Sequence, residues 1–190
     1  MAILPIYEVP HPVLAEASSL VKVIDDSVRK LLDDMAETMF AAPGIGLAAV
    51  QVGVAKRIVV AAVPVRAGIS REEEDDSELG SAAYLTELIN PVLAEREGST
   101  VFDEGCLSVP DMTVEVERFE RVRIEALDRN GEPFSLVAEG FYAVVFQHEL
   151  DHLDGITLLN HMSPLRRKLF LKKLKKRRLD GPGSLAGTAG

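Results

Sequence analysis

The residues best suited to chemistry in this sequence are His148, Glu149 and His152, which form an H-E-x-x-H pattern. Histidines four positions apart lie on one face of an α-helix, so both imidazoles can bind a single metal ion. Glu149 then lies beside any water that the metal activates and can exchange a proton with it. The preceding segment, Ala138–Phe146, is mostly apolar and contains no proline. We therefore predict a metal site on a buried helix.

Two histidines do not complete a catalytic metal site, which usually has three protein ligands and one open position. A zinc metalloprotease of the H-E-x-x-H-x-x-G-x-x-H type would place its third histidine at position 158, which is Leu158. His161 comes three residues too late and is expected at the surface or between helices. No glutamate follows Glu149, so a downstream glutamate ligand is excluded. The third ligand must come from upstream.

Cys106 is the strongest upstream candidate, because a thiolate is a good soft ligand and the metal itself favours its deprotonation. It is the only cysteine in the chain, which excludes an intramolecular disulfide. Gly105 precedes it in a polar segment that resembles a turn, and this setting favours a ligand over a small buried apolar residue. Both interpretations of Cys106 remain open on the residues alone.

The hydrophobic pattern predicts one α+β domain over residues 1–180, followed by a flexible glycine-rich tail at 181–190. A helix capped by Asp25 or Asp26 and running to about Phe40 presents apolar residues at helical spacing. The glycines of segment 44–53 indicate a tight loop. The expected strands cover 56–63 and 85–90, where Pro91 interrupts the second, then an alternating region from Thr113 to Ala126 and a return over 134–137 after an Asn-Gly turn at 128–131.

Composition narrows the functional classes. Apolar residues make up 47% of the 190 residues and charged residues 27%, which are ordinary values for a globular domain. The net charge of −9 argues against a general nucleic-acid binder, and no DNA partner is expected. No apolar run approaches a membrane span. The N-terminus lacks the pattern of a secretory signal, so a cytoplasmic location is expected. The acidic segment 71–78 is expected to be a solvated loop.

The expected last helix, Leu165 to about Leu179, carries nine Lys and Arg residues between positions 166 and 178. Removing these nine from the 21 Lys and Arg residues leaves 12 against 30 Asp and Glu residues in the rest of the chain. We expect Leu165, Leu169 and Leu174 to pack this helix against the domain. The basic face has two interpretations. It is either a solvated surface whose cations interact favourably with the negative end of the helix dipole, or a surface that binds the phosphates of ribosomal RNA.

Three segments of this sequence, in their order along the chain, resemble the motifs of the peptide deformylases of bacterial type. They are 44–51 (Gly-Ile-Gly-Leu-Ala-Ala-Val-Gln), 104–108 (Glu-Gly-Cys-Leu-Ser) and 147–152 (Gln-His-Glu-Leu-Asp-His). The resemblance extends from about Ile3 to the last helix. The sequence departs from the family pattern at Ala15, Thr113 and Asn160, and its acidic segment is longer. Thr113 stands where some bacterial members carry an arginine that contacts the substrate.

The resemblance implies antiparallel sheets packed around a central helix that carries H-E-x-x-H, with a further helix at the C-terminus. It also implies an enzyme that removes the N-terminal formyl group from formyl-methionyl nascent polypeptides. One divalent metal is expected, Fe²⁺ by resemblance, with Zn²⁺, Ni²⁺ and Co²⁺ also suited to the donors. A partner implied for the basic helix is the ribosome. A non-enzymatic, ribosome-associated protein is the alternative.

The resemblance assigns roles to individual residues. Cys106, His148 and His152 would hold the metal, and Glu149 would act as general base and then general acid. The side chain of Gln51 and the backbone N–H of Leu107 would stabilise the oxyanion; a core glutamine bonded to backbone is the alternative for Gln51. An apolar slot for the methionine side chain would be lined by Ile45, Phe102, Phe141, Val144 and Val145, for which plain core packing is the alternative. Gly44, Gly46, Glu104 and Gly105 complete the expected substrate-binding residues.

Overall fold

The computed structural model describes residues 2–63 and 84–180, with side chains to Lys176. Its helices are α1 (Asp26–Ala41), α2 (Gly140–Leu153) and α3 (Pro164–Asp180). Its strands are β1 (Gly46–Ala48), β2 (Ile58–Ala62), β3 (Leu85–Glu97), β4 (Thr100–Cys106), β5 (Val109–Arg118), β6 (Arg121–Leu127) and β7 (Pro133–Glu139). The predicted α+β domain with antiparallel sheets and a C-terminal helix is confirmed. The acidic segment 71–78 and the tail 181–190 lie outside the described residues.

Strands β1, β2, β3, β6 and β7 form one antiparallel sheet in the order β1-β2-β3-β6-β7. All five residues of β2 are buried, as the apolar run in the sequence predicts. Helix α1 packs on one face of this sheet through Val28, Leu32, Met35 and Met39, and the side chain of Asp25 caps its first turn. The opposite face receives α2 through Ala143 and Phe146. The helix that carries H-E-x-x-H is therefore packed directly on the sheet.

Pro91 interrupts the pairing of the strand predicted over 85–90, as expected, but β3 does not end there and continues to Glu97. The pairing of β3 with β6 shifts register between Ile89 and Val92, which is a bulge around the proline. Asn90 has a φ of 53° there. Its side chain accepts a hydrogen bond from Val21 N–H at 2.8 Å and donates one to Val21 O at 2.9 Å. The bulge is thus held from outside the sheet, and the strand resumes after the proline.

Strands β4 and β5 form a separate two-stranded sheet, called the ribbon below. The segment around Cys106, expected to be turn-like, is the end of β4 with a tight connection to β5 at Val109. Val114 and Val116 on β5 are buried against Leu158, Leu159 and Met162. The ribbon therefore presents one apolar face to the domain and carries Cys106 at its tip.

Helix α2 begins at Gly140 and not at Ala138, because Ala138 pairs with Val122 within the sheet. Gly140 has a φ of 55°, a left-handed conformation that favours glycine, and the chain passes there from strand to helix. The hairpin turn predicted at 128–131 is confirmed between β6 and β7. Segment 44–53, expected to be a loop, contains β1 and a 3₁₀ turn over Ala49–Val52.

Helix α3 packs on the ribbon with a face different from the expected one. Phe170 and Leu174 are buried, whereas Leu165 and Leu169 are 68% and 59% exposed. Only Leu174 of the three predicted leucines is therefore in the core. The Lys and Arg residues between positions 166 and 176 are all exposed. Among the described residues, no helix is long and apolar enough to span a membrane.

Candidate metal and active site

His148, His152 and Cys106 meet at one point, although they come from different elements. The histidines project from α2, with their ring centroids 5.0 Å apart, and Cys106 lies at the end of β4. Cys106 Sγ lies 3.2 Å from His152 Nε2. One ligand atom from each of the three residues lies within 4.8 Å of the other two. This grouping is the arrangement that the sequence predicted for a metal site.

The residues fit a divalent metal ion with thiolate and imidazole ligands. His148 Nδ1 lies 2.8 Å from Glu104 Oε2, and this contact orients the ring and leaves Nε2 as the ligand atom. Burial lowers the pKa of His152 well below its usual value, so this imidazole is neutral and has a lone pair to offer. Three ligands of this kind leave a position open for catalysis, as in hydrolytic metal sites.

Glu104 was expected to bind substrate, and it does line the cavity described below, but its carboxylate is already engaged. Arg118 binds it through Nε at 2.7 Å and Nη2 at 3.0 Å, in addition to the contact with His148. Burial raises the pKa of Glu104, but the bonds to His148 and Arg118 outweigh this and hold the pKa below its usual value. Glu104 is thus an ionised group behind the first histidine.

Arg118 was not predicted from the sequence, although a signal was present. In the alternating strand β5, Val114 and Val116 occupy the buried face, and Arg118 falls on the same face. A charge at such a position must have buried partners. The structure provides them in Glu104 and in Asp151, whose Oδ2 accepts from Arg118 Nη1 at 2.7 Å. The alternation of buried and exposed positions along β5 could therefore have identified Arg118 as a buried charge with partners.

Glu149 is buried beside the three candidate metal ligands. Burial raises the pKa of its carboxyl group to about 7, an effect that the nearby His148 partly offsets. Its Oε2 atom has no hydrogen-bond partner within the described part of the chain. A carboxyl group that titrates near neutral pH and has a free oxygen is suited to proton transfer.

Gln51 is fixed by two hydrogen bonds. Its Oε1 accepts from Ala48 N–H at 2.8 Å, and its Nε2 donates to Ser108 Oγ at 3.2 Å. The same Nε2 lies 3.7 Å from Cys106 Sγ. The Gln51 amide is thus buried and bonded to backbone through Oε1, as the alternative expects, while its Nε2 atom lies near the candidate ligand Cys106.

A cavity of about 460 Å³ opens beside these residues. Its lining includes every residue that was expected to bind substrate, namely Gly44, Ile45, Gly46, Phe102, Glu104, Gly105, Phe141, Val144 and Val145. Gln51, Cys106, Leu107, His148 and Glu149 line it as well. The Phe102 and Phe141 rings form one wall, with centroids 5.2 Å apart. Asp111 and Met112 also line the cavity and were not predicted from the sequence.

The remaining residues discussed from the sequence are not among the candidate metal ligands. His161 Nε2 contacts Asp151 Oδ2 at 3.0 Å near the surface, as expected for a residue that is not a ligand. Asn160 accepts a hydrogen bond from Thr157 N–H at 3.0 Å. The backbone oxygen of Thr113 accepts a hydrogen bond from Arg166 at 3.1 Å.

Comparison with known proteins agrees with this geometry. The family model for polypeptide deformylase matches residues 3–168. The peptide deformylase of Alkalilimnicola ehrlichii is 45% identical over 190 residues, covering 100% of this chain and 99% of that protein. The crystal structure of a peptide deformylase from Legionella pneumophila superposes with a TM-score of 0.81 at 37% identity, covering 94% of this chain and 98% of that chain.

A second solved structure, the peptide deformylase of Ehrlichia chaffeensis in complex with actinonin, has a TM-score of 0.79 at 39% identity. It covers 93% of this chain and 98% of its own. The matches in sequence and in structure span nearly the whole chain and include all three motifs. The chain therefore belongs to the peptide deformylase family.

Proposed function

We propose that the deformylase activity of this chain, hydrolysis of the N-terminal formyl group of formyl-methionyl nascent polypeptides, is carried by Cys106, His148 and His152 as metal ligands and by Glu149 as the proton carrier. The observation that supports this assignment is the meeting of Cys106 with both histidines of α2, within 4.8 Å, at the wall of a cavity that Glu149 also lines. When bound, the divalent ion supplies Lewis-acid chemistry, lowering the pKa of water and polarising the formyl oxygen.

Glu149 moves the proton in this proposal. Its Oε2 atom takes a proton from the attacking water and returns it to the amine nitrogen as the formyl C–N bond breaks, which releases formate and a free N-terminus. The raised pKa of about 7 suits both halves of this transfer. Its burial excludes bulk water, so the proton is kept within the site.

Gln51 and Leu107 are proposed to stabilise the oxyanion that forms on the formyl oxygen. The Gln51 amide is held by Ala48 and Ser108, so its N–H group needs no reorganisation during the reaction. Leu107 follows the ligand Cys106 and lines the cavity, which supports a role for its backbone N–H group on the same side. Removing one such donor typically costs about 10²–10³ in kcat.

The apolar part of the cavity is proposed to hold the methionine side chain. Ile45, Val144 and Val145 supply aliphatic contacts, and the Phe102–Phe141 pair closes the slot. Aromatic and aliphatic walls suit an unbranched thioether, which is apolar and flexible. A side chain at Gly105 would meet nothing within 4 Å, so this glycine leaves room for the substrate backbone to approach the chain closely. Gly44 and Gly46 line the same cavity.

We propose Fe²⁺ as the metal in the cell and the cytoplasm as the location. Thiolate and imidazole donors suit iron(II), zinc, nickel and cobalt alike, so the donor set supports a divalent ion in general and the family resemblance favours iron. Metal analysis of protein purified without oxygen decides between them. A stoichiometric metal other than iron, under those conditions, would contradict this assignment.

The exposed basic face of α3 is proposed to bind ribosomal RNA phosphates near emerging nascent chains. Phe170 and Leu174 hold the helix on the ribbon. The Lys and Arg side chains of residues 166–176 take no part in this apolar contact and are exposed, so a partner can reach them. Counterion release would make such binding steeply dependent on salt.

Incubation with a formyl-methionyl tripeptide tests the proposed reaction. Mass spectrometry should show loss of the formyl group with all peptide bonds intact, and Glu149→Gln should lack this activity. Cleavage of an internal peptide bond would favour the metalloprotease alternative. Absence of any turnover by metal-loaded protein would favour the non-enzymatic one.

A further inference from the structure

Arg118 connects the two elements that provide the metal ligands. From β5, its Nε and Nη2 atoms bind both oxygens of Glu104 on β4, two residues before the ligand Cys106. Its Nη1 atom binds Asp151 on α2, one residue before the ligand His152. The guanidinium group thus contacts one carboxylate on β4, near Cys106, and one on α2, near His152.

We infer that Arg118 is a positioning residue for the metal: through Glu104 and Asp151 it fixes the ribbon against α2, and so fixes Cys106 at its distance from His148 and His152. This inference rests on the proposed metal site. It assigns to Arg118 and Asp151 a role in retaining the metal, in addition to any role in the stability of the fold.

Cys106 and His152 are held close together although they belong to two separate elements, β4 and α2. Their Sγ and Nε2 atoms lie 3.2 Å apart. Arg118 is planar and presents its donors in a fixed fork, so a bidentate pair with Glu104 restricts both distance and angle. A lysine would keep the charge but could not reproduce this fork. The guanidinium group is therefore suited to setting the separation of the two elements.

Arg118 and Glu104 form a buried ion pair, with side chains that are 7% and 4% exposed. Removing one partner of a buried pair leaves an uncompensated charge, and the remaining groups then rearrange to regain solvent. Glu104 would turn away from His148 Nδ1, and the orientation of that imidazole would no longer be fixed. Changes of this kind behind a metal ligand typically reduce metal affinity by about 10–100-fold.

The chain contains a matched control for the contact on α2. Asp154 lies one turn beyond Asp151 and also forms an ion pair, at 2.7 Å, but with Arg57 near β2. Asp154→Asn therefore removes an ionic contact from the same end of the helix without touching Arg118. If helix anchoring in general controls the metal, the two asparagine variants behave alike.

The experiment loads full-length protein with Co²⁺ and follows the thiolate absorption band after adding a chelator. The parent chain, Arg118→Lys, Asp151→Asn and Asp154→Asn are compared, and thermal unfolding of each metal-free protein is recorded. We expect Arg118→Lys to lose Co²⁺ about 10–100 times faster than the parent and Asp151→Asn about 10 times faster. Asp154→Asn should lose it at the parent rate. The metal-free unfolding temperature of Asp151→Asn should match that of Asp154→Asn.

Equal rates of Co²⁺ loss in the parent, Arg118→Lys and Asp151→Asn would overturn this inference while leaving the proposed metal site intact. Equal acceleration in Asp151→Asn and Asp154→Asn would also overturn it. If Arg118→Lys does not fold, the comparison of the two asparagine variants decides alone. Two results would overturn the proposed metal site itself. One is a parent chain that shows no thiolate absorption band with Co²⁺, and the other is a Cys106→Ala variant that still shows this band.

Discussion

Gly46 and Glu149 are in such close contact that no β-carbon fits between them. A Cβ added to Gly46 would overlap Glu149 Oε1 and lie 2.8 Å from its Cδ. Gly46 opens β1, and Glu149 lies on α2, which packs across that strand. The glycine of the first motif is therefore required by the position of the carboxylate in the third.

Gly46→Ala should move the Glu149 carboxylate out of line with the metal site while leaving all three ligands in place. We expect kcat to fall by about 10²-fold, at the lower end of the range for general acid–base catalysis. The bound metal should stay stoichiometric, and steady-state kinetics with metal analysis on the same sample measures both. Unchanged kcat would show that the carboxylate adjusts at no cost.

Cys106→Ala should abolish tight metal binding, because two histidines rarely retain a catalytic metal without a third ligand. We expect metal content after gel filtration to fall well below one per chain, and activity to fall with it by more than about 100-fold. Restoring activity with excess metal would indicate weakened binding. A variant with full metal content and normal turnover would contradict the ligand assignment.

Glu149→Gln should separate metal binding from proton transfer. Glutamine has nearly the same shape as glutamate but cannot carry the proton, so we expect full metal content and a loss of kcat of about 10²–10⁴-fold. The matched comparison is Cys106→Ala, in which metal and activity should disappear together. Metal loss from both variants would argue against the proposed division of roles.

Val144→Trp should narrow the slot for the methionine side chain. We expect KM for a formyl-methionyl peptide to rise by about 10–200-fold, and less for a formyl-glycyl peptide, which does not fill the slot. Val137→Trp is the matched control, because Val137 is 37% exposed on β7 and lies outside the cavity. Equal effects of Val144→Trp on the two peptides would show that Val144 is ordinary core.

Lys172→Glu combined with Lys176→Glu should weaken co-sedimentation with ribosomes. The slope of the logarithm of the binding constant against the logarithm of the salt concentration should become less steep by about one unit for each phosphate contact that is lost. Activity on a short formylated peptide should stay near normal. Lys22→Glu with Lys56→Glu makes the same change of charge on exposed residues away from α3. If both double variants co-sediment like the parent chain, the basic face is only solvated.

The motifs could be identified in the sequence because each has local spacing with a chemical meaning. H-E-x-x-H specifies one face of a helix, and a single cysteine leaves few choices for a soft third ligand. The packing of α3 could not be predicted in this way. Leu165 and Leu169 are four residues apart, as are Phe170 and Leu174, so both pairs form an apolar stripe. The rotation of the helix depends on the assembled fold, in which Phe170 and Leu174 join the apolar cluster that contains Val109, Val114 and Val116 of the ribbon.

The bulge at Pro91 and the ion pairs of Arg118 could not be predicted from local sequence either, because both depend on residues far away in the chain. Proline in a strand ends pairing or creates a bulge, and the outcome depends on whether a distant group holds the bulge. Here Val21, 69 residues away from Asn90, does so. Arg118 finds partners 14 and 33 residues away, so its role depends on the assembled fold.

The ribbon also determines how the site comes apart. Two strands alone are only marginally stable in water. The ribbon therefore depends on its apolar contacts with α3 and the segment around Leu158, and on the ion pair of Arg118 with Asp151 on α2. A segment held in this way opens at a lower free energy than the buried sheet. If Cys106, His148 and His152 hold the metal as proposed, the ion would tie the ribbon to α2, and we expect its release to require the ribbon to open away from that helix.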